Sequence, residues 1–235
     1  MKIYLLAYCI SICFISCNKP HEDLVVKRGL LAENAMVVSA REEASKIGAD
    51  ILKQGGNVFD AMMATELALA VCYPYAGNLG GGGFMVYRLH TGKTGALDFR
   101  EKAPLAATKN MYLDSLGNLI KNKSLIGELS VGVPGTVAGV FEAHNMFGLL
   151  PVREVLQPVI DLANTGFVIT EKQQDRFMQF DSIFKAVNGK EILFSKRLKA
   201  GDTLKNIQLA NTLERLAIYG KDEFYSGETA KQLVA

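Results

Sequence analysis

The spacing of apolar residues changes period several times along the chain, and each change marks an element. Met36-Val37-Val38-Ser39-Ala40 is a short β-prone run and reads as a strand. From Glu42 to Gln54 the apolar positions Ala44, Ile47, Ile51 and Leu52 share one face, which predicts an amphipathic helix that Gly55-Gly56 stops. Asn57 is a good N-cap, and Asp60 falls in the first turn, where negative charge suits the helix dipole. The helix that follows, Val58 to about Val71, is apolar nearly all round and should be buried. Its small residues Ala61, Ala64, Ala68 and Ala70 allow close approach of a neighbour, and Pro74 ends it.

After four consecutive glycines, Gly80 to Gly83, the period becomes two. Phe84, Val86 and Arg88 lie on one face, and Met85, Tyr87 and Leu89 on the other. The tip HTGKTG and a second run, Ala96 to Phe99, complete a predicted β-hairpin. Residues 103–123 are loop-like, with a short helix expected near Met111-Tyr112-Leu113. The stretch SVGVPGTVAG, Ser130 to Gly139, is a turn feeding a helix through about Phe147. Pro151 suits the first turn of another helix, Val152 to Ala163, which Pro158 should kink. Thr170 and Gln173 form a capping box for a helix carrying Phe177, Phe180, Ile183 and Val187, ended by Asn188-Gly189. Leu209, Leu213 and Leu216 line one face of a helix from Ile207 to Tyr219, and Glu228 to Ala235 begins a further helix.

Composition narrows the class. Apolar residues make up 49%, so a sizeable core is expected, and a net charge of +2 gives no electrostatic reason to expect nucleic acid as a partner. Met1 to Ser16 has the character of an export leader: Lys2, then an apolar run from Ile3 to Ile15 broken only by Ser11, too short to span a bilayer. It ends Phe14-Ile15-Ser16-Cys17, which resembles a bacterial lipobox with Phe14 where leucine is usual. Cys17 is thus a candidate lipidation site at the end of a signal peptide spanning residues 1–17; the other reading is an ordinary secretory signal cut nearby. Residues 18–34 are polar and read as a tether, and 35–235 as the folded part. Cys9 and Cys13 leave with the leader, so no disulfide framework is expected, and Cys72 reads as a buried small hydrophobe. The chain should therefore be exported, residing in the periplasm or cell envelope and meeting the membrane only through a lipid on Cys17.

The glycine run does not read as a phosphate cradle. Nucleotide loops run strand, glycines, helix, whereas here the order is helix, glycines, strand, and tight backbone packing is the expected use. His21, His90 and His144 are scattered, so no metal site is expected, and no Gly-x-Ser-x-Gly elbow occurs. Nothing calls for a cofactor. Arg100 lies in the charged run Asp98 to Lys102. It could pair with Asp98, which shares its face at strand spacing, or meet a substrate carboxylate through two parallel hydrogen bonds. The local residues do not decide between these.

NLGGGGFMVYRL, LDFREKAP, ILKQGGNVFDA and GVPGTVAG, with DTLKN and GKDEFYSG, resemble the γ-glutamyltranspeptidases (glutathione hydrolases) from about Asn34 to the end of the chain. The resemblance implies an α/β (α+β) N-terminal nucleophile hydrolase fold, an αββα sandwich that would be incomplete in this chain. It implies an exported zymogen that cuts itself into a large and a small subunit. The small subunit's new N-terminal threonine attacks the γ-glutamyl amide of glutathione or another γ-glutamyl compound. The γ-glutamyl group then passes to water or to an amino acid or peptide acceptor. The position matching the family's carboxylate-binding arginine is Arg100. The family's nucleophile lies in a Thr-Thr-His-type motif, and no Thr-Thr pair occurs in these 235 residues. The matched stretch is the N-terminal part of the large subunit, the catalytic threonine is expected downstream, and the chain alone is expected to be inactive. The alternative is a decayed or repurposed envelope lipoprotein that binds γ-glutamyl compounds without catalysis.

Overall fold

The computed structural model describes residues 29–234. The leader, Cys17 and most of the tether lie outside the described residues. Gly29 to Asn34 belongs to a first unit, residues 1–34, and is exposed; the rest forms a second unit beginning at Ala35.

The second unit is built around one helix. α1 (Glu42–Lys53) has Glu42 and Glu43 in its first turn and Lys53 in its last, and buries Ala44, Gly48 and Ile51. α2 (Val58–Cys72) starts at a full capping box: the Asn57 side chain accepts from the backbone N–H of Phe59 and Asp60, and Asp60 accepts from the backbone N–H of Asn57. α2 is apolar on nearly every side because α1, α3 (Thr136–Phe147) and α4 (Val152–Thr165) all pack on it. α5 (Glu171–Asn188) is capped by Thr170 and Gln173 as expected, and Gly189, at φ 63°, ends it. α6 (Ile207–Tyr219) packs on α4, burying Ala210, Leu213 and Leu216. Two short helices, α7 (Asp222–Tyr225) and α8 (Glu228–Val234), follow.

β1 (Phe84–Arg88) and β2 (Thr94–Asp98) form the antiparallel hairpin, in register from Phe84↔Asp98 to Arg88↔Thr94. Gly92, at φ 87°, makes its tip. The inner face carries Met85, Tyr87 and Leu97, with Tyr87 against Phe59 and Phe147; on the outer face Phe84 is 63% and Val86 85% exposed. The other sheet pairs β3 (Phe167–Val168) with β4 (Thr203–Leu204). These strands are too short for periodicity to reveal.

Several expectations need correction. Met36 to Ala40 shows alternating burial, but it forms no strand and joins no sheet among the described residues, and Ala40 lies in a bend. Residues 111–113 form a turn and a lone bridge, Leu113↔Leu119, in place of a helix. The cause is local: Asp114 Oδ1 accepts from the backbone N–H of Leu116 and Asn118, both at 2.9 Å, and so offers the chain a turn instead. Strand β2 starts at Thr94, although Phe99 extends its ladder to Gly83. On α5 only Phe177 of the four apolar positions is buried, stacked on Phe194, and Val187 is half exposed. Pro151 is the N-cap of α4, just outside its first turn, and Pro158 lies within the helix.

Candidate functional site

The candidate site is assembled on the segment Phe99 to Lys102, which is gripped from two sides. The Gly83 and Phe99 backbones exchange hydrogen bonds at 3.3 and 3.0 Å, and Lys102 and Val133 do so at 3.2 and 2.7 Å. The Gly81 carbonyl then accepts from the N–H of Gly135 and Thr136, at 2.8 and 3.0 Å, and ties the two gripping segments to each other. Glycine is required at several of these points. A Cβ on Gly82 would lie 2.7 Å from the Phe99 carbonyl oxygen, one on Gly135 would collide with the same carbonyl, and one on Gly139 would enter the Phe99 ring. Both glycine-rich motifs therefore serve the same purpose: they let two backbones and α3 close on the Phe99 segment.

Arg100 emerges from this clamp onto the exposed outer face that also carries Asp98 and Phe84. Asp98 makes no ion pair with it. Instead its Oδ1 accepts from the backbone N–H of Arg100 at 3.0 Å, which shapes the chain and leaves the guanidinium free of any anionic partner among the described residues. The guanidinium stands over the Phe84 ring, 6.0 Å from its centroid. Beside it opens a cleft of about 730 Å³ whose lining includes Arg100, Glu101, Lys102, Pro134, Lys221 and Tyr225. The Tyr225 hydroxyl donates to the Pro134 carbonyl at 2.9 Å and accepts from the N–H of Ala138 at 3.1 Å, fastening α7 to the turn before α3. Burial raises the pKa of this phenol, which keeps it protonated for that role.

This arrangement can hold an anion, and the planar guanidinium matches a carboxylate. Among the described residues no cluster of His, Cys, Asp and Glu is placed to hold a metal. His90 is exposed. His144 Nε2 lies 2.9 Å from the Leu150 carbonyl and 3.3 Å from Asp60 Oδ1, a structural position. Sequence reasoning placed Asp60 only in a first turn. It is in fact fully buried, and it also accepts from the backbone N–H of Leu149 at 3.1 and 3.2 Å. Asn57-x-x-Asp60 was the available signal for the cap, but nothing local announced the partner 89 residues away.

Solved structures share this architecture. The γ-glutamyltranspeptidase of Helicobacter pylori matches with a TM-score of 0.83 and 39% identity, over 87% of this chain and 60% of that one. The enzyme of the same name from Pseudomonas nitroreducens, solved with L-DON, matches at 0.78 and 45% identity over the same shares. The fold is thus that of the N-terminal nucleophile hydrolases of γ-glutamyltranspeptidase type. A family profile described as Gamma-glutamyltranspeptidase matches residues 44–235, and the chain belongs to that family. Among curated relatives, the glutathione hydrolase proenzyme of Pseudomonas sp. (strain A14) is 47% identical over 208 residues, covering 87% of this chain and 36% of the relative. That of Escherichia coli (strain K12) is 45% identical over 206 residues, covering 86% and 36%. The chain thus spans little more than a third of the length of the curated relatives it matches.

Proposed function

We propose that this chain is the glutamyl-holding part of an exported γ-glutamyltransferase or glutathione hydrolase. Arg100 binds the α-carboxylate of glutathione or a related γ-glutamyl compound. The observation that carries this is the position of Arg100: a backbone hydrogen-bonded on both sides, no anionic partner among the described residues, and an open cleft at its side. Two parallel N–H···O bonds fix the glutamyl end, so the γ-carbonyl is presented at one place. A threonine hydroxyl from polypeptide outside these 235 residues attacks the γ-carbonyl carbon. The amide bond breaks, the amine leaves with the hydroxyl's proton, and a γ-glutamyl ester forms. Water or the amine of an acceptor amino acid or peptide then takes the glutamyl group. The small subunit that supplies the threonine packs on the hairpin side of the molecule. Delivery to the envelope follows from the leader, with a lipid on Cys17 as the anchor; among the described residues no helix is long and apolar enough to cross a membrane.

The test is kinetic, on the complete protein. Arg100→Ala should raise KM for glutathione by roughly a hundredfold or more, the scale of a lost charge-assisted carboxylate contact, and Arg100→Lys should recover only part of it. An unchanged KM in Arg100→Ala would overturn the assignment.

A further inference from the structure

The turn before α3 cannot cap its own helix, and the missing acceptor comes from 87 residues further along the chain. The first turn of a helix carries backbone N–H groups with no partner inside it. The N-cap of α3 is Gly135, which has no side chain to accept from them. A capping residue cannot take its place, because a Cβ there would collide with the Phe99 carbonyl. Two outside acceptors stand in. The Gly81 carbonyl takes the Thr136 N–H at 3.0 Å, and the Tyr225 hydroxyl takes that of Ala138 at 3.1 Å. The same hydroxyl donates to the Pro134 carbonyl at 2.9 Å, so one oxygen ties both sides of the glycine.

Tyr225 is itself held in place. A helix as short as α7 has little stability of its own, and the two residues before Tyr225 supply it. Phe224 belongs to the core, 4% exposed, and its ring meets that of Tyr225 edge-on with 5.1 Å between centroids. Glu223 accepts from Arg215 Nε of α6 at 2.6 Å and from the Thr229 hydroxyl at 2.9 Å. The Tyr225 oxygen is therefore fixed by α6 and the core, and not by the turn that it steadies. From that turn the contacts lead on to the candidate site. Val133, next to Pro134, exchanges backbone hydrogen bonds with Lys102, two residues beyond Arg100. Of the two grips on the Phe99–Lys102 segment, this one depends on the Pro134 turn. Without the Tyr225 hydroxyl, Pro134 and Ala138 lose their shared partner, and Gly81 alone ties the turn to the rest of the clamp.

We propose that Tyr225 is a positioning residue for Arg100: its hydroxyl holds the turn from Val133 to Ala138 against Lys102 and so sets where the guanidinium meets a substrate carboxylate. This rests on the reading of Arg100 as the carboxylate-binding group. Tyr225 lines the same cleft, but its hydroxyl hydrogen is already given to Pro134, so it acts through the backbone and not on the substrate. A paired guanidinium–carboxylate contact demands exact placement, and a small displacement of Arg100 weakens it.

The test is a kinetic cycle on the complete protein with two substrates, a γ-glutamyl amide and the same amide lacking its α-carboxylate. Tyr225→Phe removes the oxygen and keeps the ring. It should raise KM for the first substrate about three- to tenfold, change kcat by less than about twofold, and leave kcat/KM for the second substrate unchanged. In Arg100→Ala the same substitution should have no further effect on either substrate. Asp60→Ala, which loosens the other end of α3 at Leu149, should leave KM unmoved and so separates positioning from general loosening. An unchanged KM in Tyr225→Phe, beside a raised one in Arg100→Ala, would overturn this inference and leave the reading of Arg100 standing. An unchanged KM in Arg100→Ala would remove both. Equal losses on the two substrates, a loss that persists in Arg100→Ala, or an equal KM rise in Asp60→Ala would also overturn it.

Discussion

The helical body and the hairpin side of this molecule treat polar groups in opposite ways. In the body, the two carboxylates in the buried class are answered from within: Asp60 is completely enclosed and accepts from the Asn57 and Leu149 backbones, and Glu223, 6% exposed, is held by Arg215 and Thr229. Among the described residues no buried side-chain nitrogen or oxygen lacks a partner. On the hairpin side the backbone is equally fixed, but the Arg100 side chain is exposed and meets no anionic side chain among the described residues, and the apolar Phe84 and Val86 face outward. The body uses its charges to define one packing. The hairpin side holds a charge in place and leaves it unanswered, which is what a binding group requires.

Substitutions can separate the two regions. Asp60→Ala strands the N–H groups of Asn57 and Leu149 in a buried site and should lower stability by about 3 kcal/mol in urea denaturation of the complete protein, with little effect on KM once folded. Gly139→Ala sits on the seam. Its methyl would enter the Phe99 ring, so it should destabilise by about 1–3 kcal/mol and also raise KM, because Phe99 adjoins Arg100. A KM rise without destabilisation, or the reverse, would break the idea that the seam couples the regions.

The next effect is one of pH. Burial alone would raise the Glu223 carboxyl, but the bonds from Arg215, Thr229 and the backbone N–H groups of Glu228 and Thr229 outweigh it and lower the pKa from 4.5 to about 2. A depressed folded-state value means this stabilisation is complete above about pH 4.5 and is lost as pH falls toward 2. Glu223→Gln should therefore destabilise at neutral pH and make the acid limb of a stability-versus-pH curve shallower in that window. An unchanged limb would show that the network contributes little.

What could be read from the residues alone tracks how local its cause was. The Asn57 and Thr170 caps, the α6 boundaries and the hairpin faces each depend on neighbours within a few positions, and each was legible. The Met111 turn was misread although its cause was local, because Asp114 competes for backbone groups that helix periodicity ignores. Arg41 was not legible as a structural residue, since its partner Gln173 lies 132 positions away and in turn binds the Cys72 carbonyl. For Arg100, motif resemblance named the residue, but only the structure shows that Asp98 bonds its backbone rather than its side chain. The glycines of GVPGTVAG matched a motif without a reason until Phe99 was seen lying against them.

The central claim is that one guanidinium reads one carboxylate, and a cycle crossing protein and substrate tests it most directly. Turnover of a γ-glutamyl amide would be compared with that of the same amide lacking its α-carboxylate, in the wild-type protein and in Arg100→Ala. Deleting the carboxylate should reduce kcat/KM by roughly a hundredfold or more in the wild type and leave it nearly unchanged in the variant. Equal losses in both proteins would show that the carboxylate is read elsewhere.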